Sequence, residues 1–175
     1  MVNKTIHCAD GHTLIELAIA MGVLAVGMLA LMSSLASTQT VVAENQEYTL
    51  AYDAVRLKLE EMRGYTPYLS IYPAYRAGGA KGNTFTVPGL APQVVGGTQG
   101  LIAFPESGSP AALRENITDT ELGMPAGGKD LNGSGTIDAL SHSADYTLLP
   151  VKVTVSWTGI AGARSIVVST WIVDK

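Results

Sequence analysis

Between Leu17 and Ala43 no residue ionises at neutral pH, and residues 17–35 (LAIAMGVLAVGMLALMSSL) are almost wholly apolar. At about 1.5 Å per residue, roughly 20 such residues cross a bilayer core about 30 Å thick. A chain of 175 residues makes one ordinary domain, and such a domain seldom buries a helix that is apolar all round. The run therefore reads as a membrane segment. It accounts for a charged fraction of only 15%, against about 25% in soluble domains. Elsewhere 11 Lys and Arg face 15 Asp and Glu, a formal net charge of −4 without a basic block, which argues against nucleic acid as a partner. The single cysteine, Cys8, excludes both an internal disulfide and a Cys-based zinc site.

A short polar leader, MVNKTIHCADG, precedes the run, and Gly11-His12-Thr13-Leu14-Ile15-Glu16 leads straight into it. A carboxylate at the mouth of a membrane segment is costly, about 2.5–3.5 kcal/mol at mid-bilayer and less near the interface. Such a residue has a task. Gly-x-Thr-Leu-Ile-Glu before an apolar helix resembles the N-terminal signal of type IV pilins and of the pseudopilins of type II secretion. That resemblance implies cleavage between Gly11 and His12 by a membrane-embedded prepilin peptidase, methylation of the new N-terminus, and Glu16 as the fifth mature residue. It also implies a role for Glu16 in assembly, its carboxylate pairing with the His12 amine of a neighbouring subunit so that two ions costly apart become tolerable together and fix helix register. Most of the family has Phe or Met where this chain has His12, and a more basic leader than one with Lys4 alone. Many also have a helix proline where this chain has Ser33-Ser34. Two other N-terminal readings fit less well. Ser34-Leu35-Ala36 has the form of a secretory cleavage site, but the run is long for a signal peptide. A lipoprotein cysteine follows its apolar stretch, whereas Cys8 precedes it.

After Ala43 the pattern becomes amphipathic. Tyr48, Ala51, Tyr52, Val55, Leu59 and Met62 recur at steps of three and four, with charged residues on the remaining faces. Gly64 and then Pro67 form a stop signal. No breaker separates the two patterns, so one continuous helix is predicted from about Thr13 to Arg63. The segment Leu57-Lys58-Leu59-Glu60-Glu61-Met62-Arg63 is similar to the corresponding helix end in the minor-pilin and minor-pseudopilin branch.

Residues 64–146 are rich in glycine and proline, with short β-type runs at 84–87 and 101–104 and turns at Gly78-Gly79 and Gly96-Gly97. Tyr65, Tyr68, Tyr72 and Tyr75 read as a Tyr-rich loop folded over the helix. A stacking platform for sugars or bases fits less well, since no basic residue interleaves before Arg76. Val151, Val153, Val155 and Trp157 alternate with polar residues as in a half-buried strand. Residues 158–163 read as a turn, and 164–173 as a second strand with Ile166, Val168 and Ile172 on one face. An antiparallel hairpin needs a cover, and the apolar face of residues 48–62 is the obvious one. The expected fold is α+β, one long N-terminal helix packed on a C-terminal antiparallel sheet, which is the pilin architecture. The expected division is a leader at 1–11, a membrane and filament-core helix at 12–43, its amphipathic continuation at 44–64, and a globular head at 65–175.

One loop carries metal-binding residue types. Asp130, Asn132, Ser134, Thr136 and Asp138 place oxygen groups on alternate positions around Gly133 and Gly135, as in EF-hand-like calcium loops. The fifth position is the neutral Ser134 and the twelfth, normally a bidentate acid, is Ser141, with Asp145 farther along. The pattern fits a calcium site of about micromolar-to-millimolar affinity or, equally, a polar turn without an ion. No cofactor is required by either reading.

Support for catalysis is thin. His142 with Ser141, Ser143 and Asp145 has triad residue types, but neighbours in a tight stretch rarely converge as a triad. There is no phosphate-cradling Gly-Lys-Ser/Thr and no His pair of metal-ligand spacing. Asn116-Ile117-Thr118 is a glycosylation sequon in form, incidental in a bacterial filament subunit. The chain is expected to be a structural subunit and not an enzyme: a minor pilin or pseudopilin that inserts once in the bacterial cytoplasmic membrane, its C-terminal domain outside. There it would meet lipid, the prepilin peptidase and other pilin subunits before joining a pilus or pseudopilus. A membrane-tethered binding protein, or a tip subunit for adhesion or DNA uptake, is the competing class.

Overall fold

A computed structural model describes residues 13–174. The chain divides into two compact units, with the boundary between Val42 and Ala43. Helix α1, Leu14–Arg63, is unbroken over 50 residues, within one residue of the span predicted from the absence of breakers. In the first unit every described side chain of this helix is exposed, among them Leu17, Ile19, Val23, Leu24, Leu29, Leu31 and Met32. A helix so apolar and so uncovered needs lipid or protein around it.

The second unit holds the core. Four α1 residues at helical spacing, Ala51, Val55, Leu59 and Met62, are buried against an antiparallel sheet. After the helix come a 3₁₀ turn at Tyr68–Ser70 and α2 at Ile71–Tyr75. The strands are β1 (Thr84–Phe85), β2 (Gly100–Ala103), β3 (Glu106–Ser107), β4 (Ala112–Leu113), β5 (Leu148–Gly159) and β6 (Gly162–Val173). The main sheet runs β1-β2-β5-β6, and β3 pairs only with β4. β5 and β6 pair along their whole length from Leu148↔Val173 to Gly159↔Gly162. The predicted turn at 158–163 is thereby reduced to Ile160 and Ala161, because Thr158 and Ala163 still pair. Leu149, Val151, Val153, Val155 and Trp157 face inward, fully buried. Two-residue alternation puts all of them on the helix-covered side.

Three sequence expectations need correction. Tyr52 is 56% exposed: it sits one position past Ala51 and rotates out of the contact, whereas Tyr48 packs edge-on against Trp157 at 5.2 Å between ring centroids. Of the four tyrosines after the helix, only Tyr65 lies outside regular structure. Tyr72 and Tyr75 lie in α2 with Ile71, buried in the core, and Tyr68 and Tyr146 are cross-linked to the backbone through Tyr68 Oη→Ile172 O (2.8 Å) and Tyr146 Oη→Tyr68 O (2.9 Å). The short strands are also displaced or shortened. Val87 and Phe104, read as strand ends, lie outside β1 and β2 yet remain buried, because burial persists where the ladder stops.

Polar groups fasten α1 to the sheet. Trp157 Nε1 donates to Glu47 Oε2 at 3.0 Å, Ile160 N donates to Glu47 Oε1, and Arg164 pairs with Glu44 at 3.1 Å. On the opposite side of β5, Lys152 reaches Asp119 (3.2 Å) and Glu121 (3.1 Å) beside the 3₁₀ turn at Thr120–Leu122. Between β4 and β5 the chain has little regular structure, and side chains hold it together.

Candidate functional site

In that irregular stretch one carboxylate is completely buried. Glu115 follows β4 with no exposed surface, and its two oxygens accept three backbone amides. Oε1 takes Leu131 N (2.8 Å) and Asn132 N (3.3 Å), and Oε2 takes Asp138 N (3.3 Å). A buried carboxylate is tolerable where backbone donors satisfy it in this way. Gly128 makes the approach feasible: it has φ +91°, and a Cβ there would collide with the Glu115 carbonyl. Leu131, fully buried, anchors the loop from below, its carbonyl accepting Thr147 N (2.8 Å) and Leu148 N (2.9 Å) at the entry to β5.

His142 completes the cluster. Its side chain is only 5% exposed. Nε2 lies 3.1 Å from Asp138 Oδ1 and 3.7 Å from Glu115 Oε2, while Nδ1 lies 3.2 Å from Asp145 Oδ1. Burial disfavours charge on this ring, but the hydrogen bonds to Asp138 and Asp145 and the charge of Glu115 outweigh it, so its pKa is raised. The Asp138 carboxyl is held below the ordinary range, chiefly by the Leu140 amide and then by His142. The serines of the supposed triad face elsewhere: Ser141 Oγ and Ser143 Oγ bond each other at 3.1 Å, and Ser143 Oγ also accepts Leu113 N at 3.3 Å. His142 is thus paired with acids.

The five calcium-loop positions fall into two groups. Asp130 accepts Gly133 N and Gly135 N, each at 2.7 Å, and these amides hold its carboxyl below its usual pKa. Asn132 Oδ1 accepts Ser134 N at 3.0 Å, and Ser134 Oγ bonds the Thr136 carbonyl at 3.1 Å. Gly133 and Gly135 adopt φ of +77° and +83°, the conformation that lets the loop wrap around Asp130. Asp138 instead turns to His142 and Glu115. Sequence reasoning missed Glu115, since nothing nearby in sequence marks it; it stands beside the sequon and far from the loop it organises.

At the other end of the chain, Thr13 and Glu16 form the start of α1. Glu16 N lies 3.4 Å from Thr13 Oγ1, and Leu17 N donates to the Thr13 carbonyl at 3.2 Å. Thr-x-x-Glu is the spacing of a capping box, and an acid in the first turn suits the positive end of the helix dipole. Gly11 and His12 lie outside the described residues. Residues 7–32 match the family pattern of the prokaryotic N-terminal methylation motif. The chain carries a prepilin-type signal. No curated protein and no solved structure matches it.

The prepilin-type signal supports a precursor of the pilin or pseudopilin type. It implies processing by a prepilin peptidase and assembly with other pilins in general. The match and the apolar first part of α1 are consistent with anchoring in the inner membrane. The matched residues include Glu16 and end within the uncovered apolar stretch, so the motif and the exposed helix surface coincide.

Proposed function

We propose that this chain is a minor pilin or pseudopilin. After cleavage between Gly11 and His12 and methylation of His12, it enters, or primes the assembly of, a type IV pilus or a type II secretion pseudopilus. The observation that carries this reading is the prepilin-type signal running directly into a helix whose described apolar side chains are all exposed through Val42. Before assembly, lipid covers that surface, with the leader on the cytoplasmic side and the head outside. Within the filament, neighbouring helices replace the lipid, and Glu16 pairs with the His12 amine of an adjoining subunit. Buried ion pairs of this kind act best as register devices. With the native assembly machinery present, sheared or extracted fibres contain the parent chain, and a Glu16→Ala variant stays in the membrane fraction. Equal recovery of the two in fibres contradicts the role given to Glu16.

We also propose that the loop of Asp130, Asn132, Ser134, Thr136 and Asp138 binds calcium. The support is chemical: hard oxygen donors on alternate residues around two left-handed glycines, the arrangement calcium sites use. Calcium raises the melting temperature of the parent, and Asp130→Ala removes most of that rise. An unchanged rise in the variant sinks the proposal.

A further inference from the structure

The cluster beneath that loop has a different donor chemistry. Glu115, Asp138 and His142 each offer one ligand atom, all within 4.8 Å of one another, and none comes from the self-bonded turn around Asp130. Ligands of a tetrahedral zinc ion at about 2.0–2.1 Å stand roughly 3.3 Å apart. The two His142 edges, 3.1 Å to Asp138 and 3.7 Å to Glu115, bracket that separation. We propose that Glu115, Asp138 and His142 form a zinc site, separate from the calcium loop except for the shared Asp138.

A second feature singles out the imidazole. Ligating histidines almost always give the other ring N–H to a carboxylate or carbonyl, which fixes the ring and makes the bound nitrogen a better donor. Asp145 does this, with both oxygens 3.2–3.3 Å from Nδ1. Nε2 is then presented toward Glu115 and Asp138. An imidazole nitrogen suits zinc and its first-row neighbours and is foreign to calcium, which takes oxygen ligands. The Asp138 side chain is 41% exposed, so the triad borders solvent, from which a water would supply the fourth ligand.

The site would do structural work. It joins the strand segment ending at Leu113 to the loop that returns to β5, in a stretch whose regular structure is limited to β3, β4 and one 3₁₀ turn. A small irregular region commonly needs a metal or a disulfide as a staple. The only cysteine is Cys8, so a disulfide within the chain cannot serve. Zinc at this position ties Glu115 to residues 138–142 directly.

The test uses the full chain in detergent, stripped of metal, then dialysed with zinc chloride or with calcium chloride. One zinc is retained per chain, and zinc raises the melting temperature. His142→Gln abolishes retention, Asp145→Asn weakens it roughly 10–100-fold, and Asp130→Ala leaves it intact while losing the calcium response. Cobalt(II) in place of zinc gives the intense visible bands of four-coordination in the parent, a readout that does not depend on any variant folding. Absence of retained zinc, equal retention in His142→Gln, or a cobalt spectrum of six-coordination each overturns the proposal. The loss of calcium binding alone would count against the loop reading and leave this one standing.

Discussion

Single residues in this chain show how far a carboxylate's role depends on its neighbours. Glu115 is satisfied by three backbone amides, Glu47 by an indole and an amide, and Asp119 by amides and an ammonium. Asp119 caps the 3₁₀ turn, accepting Glu121 N (2.9 Å) and Leu122 N (3.1 Å), and pairs with Lys152. Burial alone would push its pKa up; the Leu122 amide, Lys152 and the Glu121 amide outweigh that and lower it. A carboxyl lowered in the folded state contributes stability above its unfolded pKa and loses it as pH falls through the folded value. Asp119→Asn is therefore expected to flatten the acid side of the stability–pH curve. At neutral pH Asn keeps the acceptor for the two amides, so the cost is that of the weakened pair with Lys152, at most about 1 kcal/mol for a partly exposed ion pair. Urea unfolding of both proteins between neutral and acid pH measures this. The reason Glu115 was illegible in the sequence is the same reason it matters. Its partners are amides of Leu131, Asn132 and Asp138, and a backbone donor leaves no signature in residue type. His142 was visible as a residue, but its acidic partners were not distinguishable from its serine neighbours until the fold chose between them.

Among elements, α1, β5 and β6 were readable because each carries its signal for many residues: a helix without breakers, then Val151, Val153 and Val155 at alternate positions of β5 and Ile166, Val168 and Ile172 on one face of β6. The short strands were not. β1 is defined by its pairing with β2, and β2 by its pairing with β1 and β5, and Val87 and Phe104 are apolar for the core and not for the ladder. Tyr52 shows the limit of helical spacing, which admits a stripe wider than the sheet covers. The contact between α1 and the hairpin has a polar clasp at Glu47 and Trp157, 3.0 Å apart. A hydrogen bond to a charged group contributes about 1.5–3 kcal/mol. Trp157→Phe and Glu47→Gln, singly and together, form a double-mutant cycle. The expected coupling is about 1–2 kcal/mol, with both singles destabilising. Strict additivity would show that the clasp holds nothing beyond its separate packing terms.

At the scale of the whole molecule, a prepilin-type signal and an uncovered apolar helix in the first unit accompany a folded α+β head in the second. The motif at Gly11, Thr13, Leu14, Ile15 and Glu16 was legible because it is local and carried by residue type. The polar donors of the head were legible only as a loop pattern, since the cluster of Glu115, Asp138 and His142 beneath it is assembled from two separate stretches. The account as a whole stands on processing at one peptide bond. Mass spectrometry of the mature protein, isolated from cells with and without prepilin peptidase, tests it most directly. The account predicts a chain beginning at a methylated His12 when the peptidase is present and an intact leader when it is absent. A mature chain that still begins at Met1, or that begins after Ala36, contradicts it.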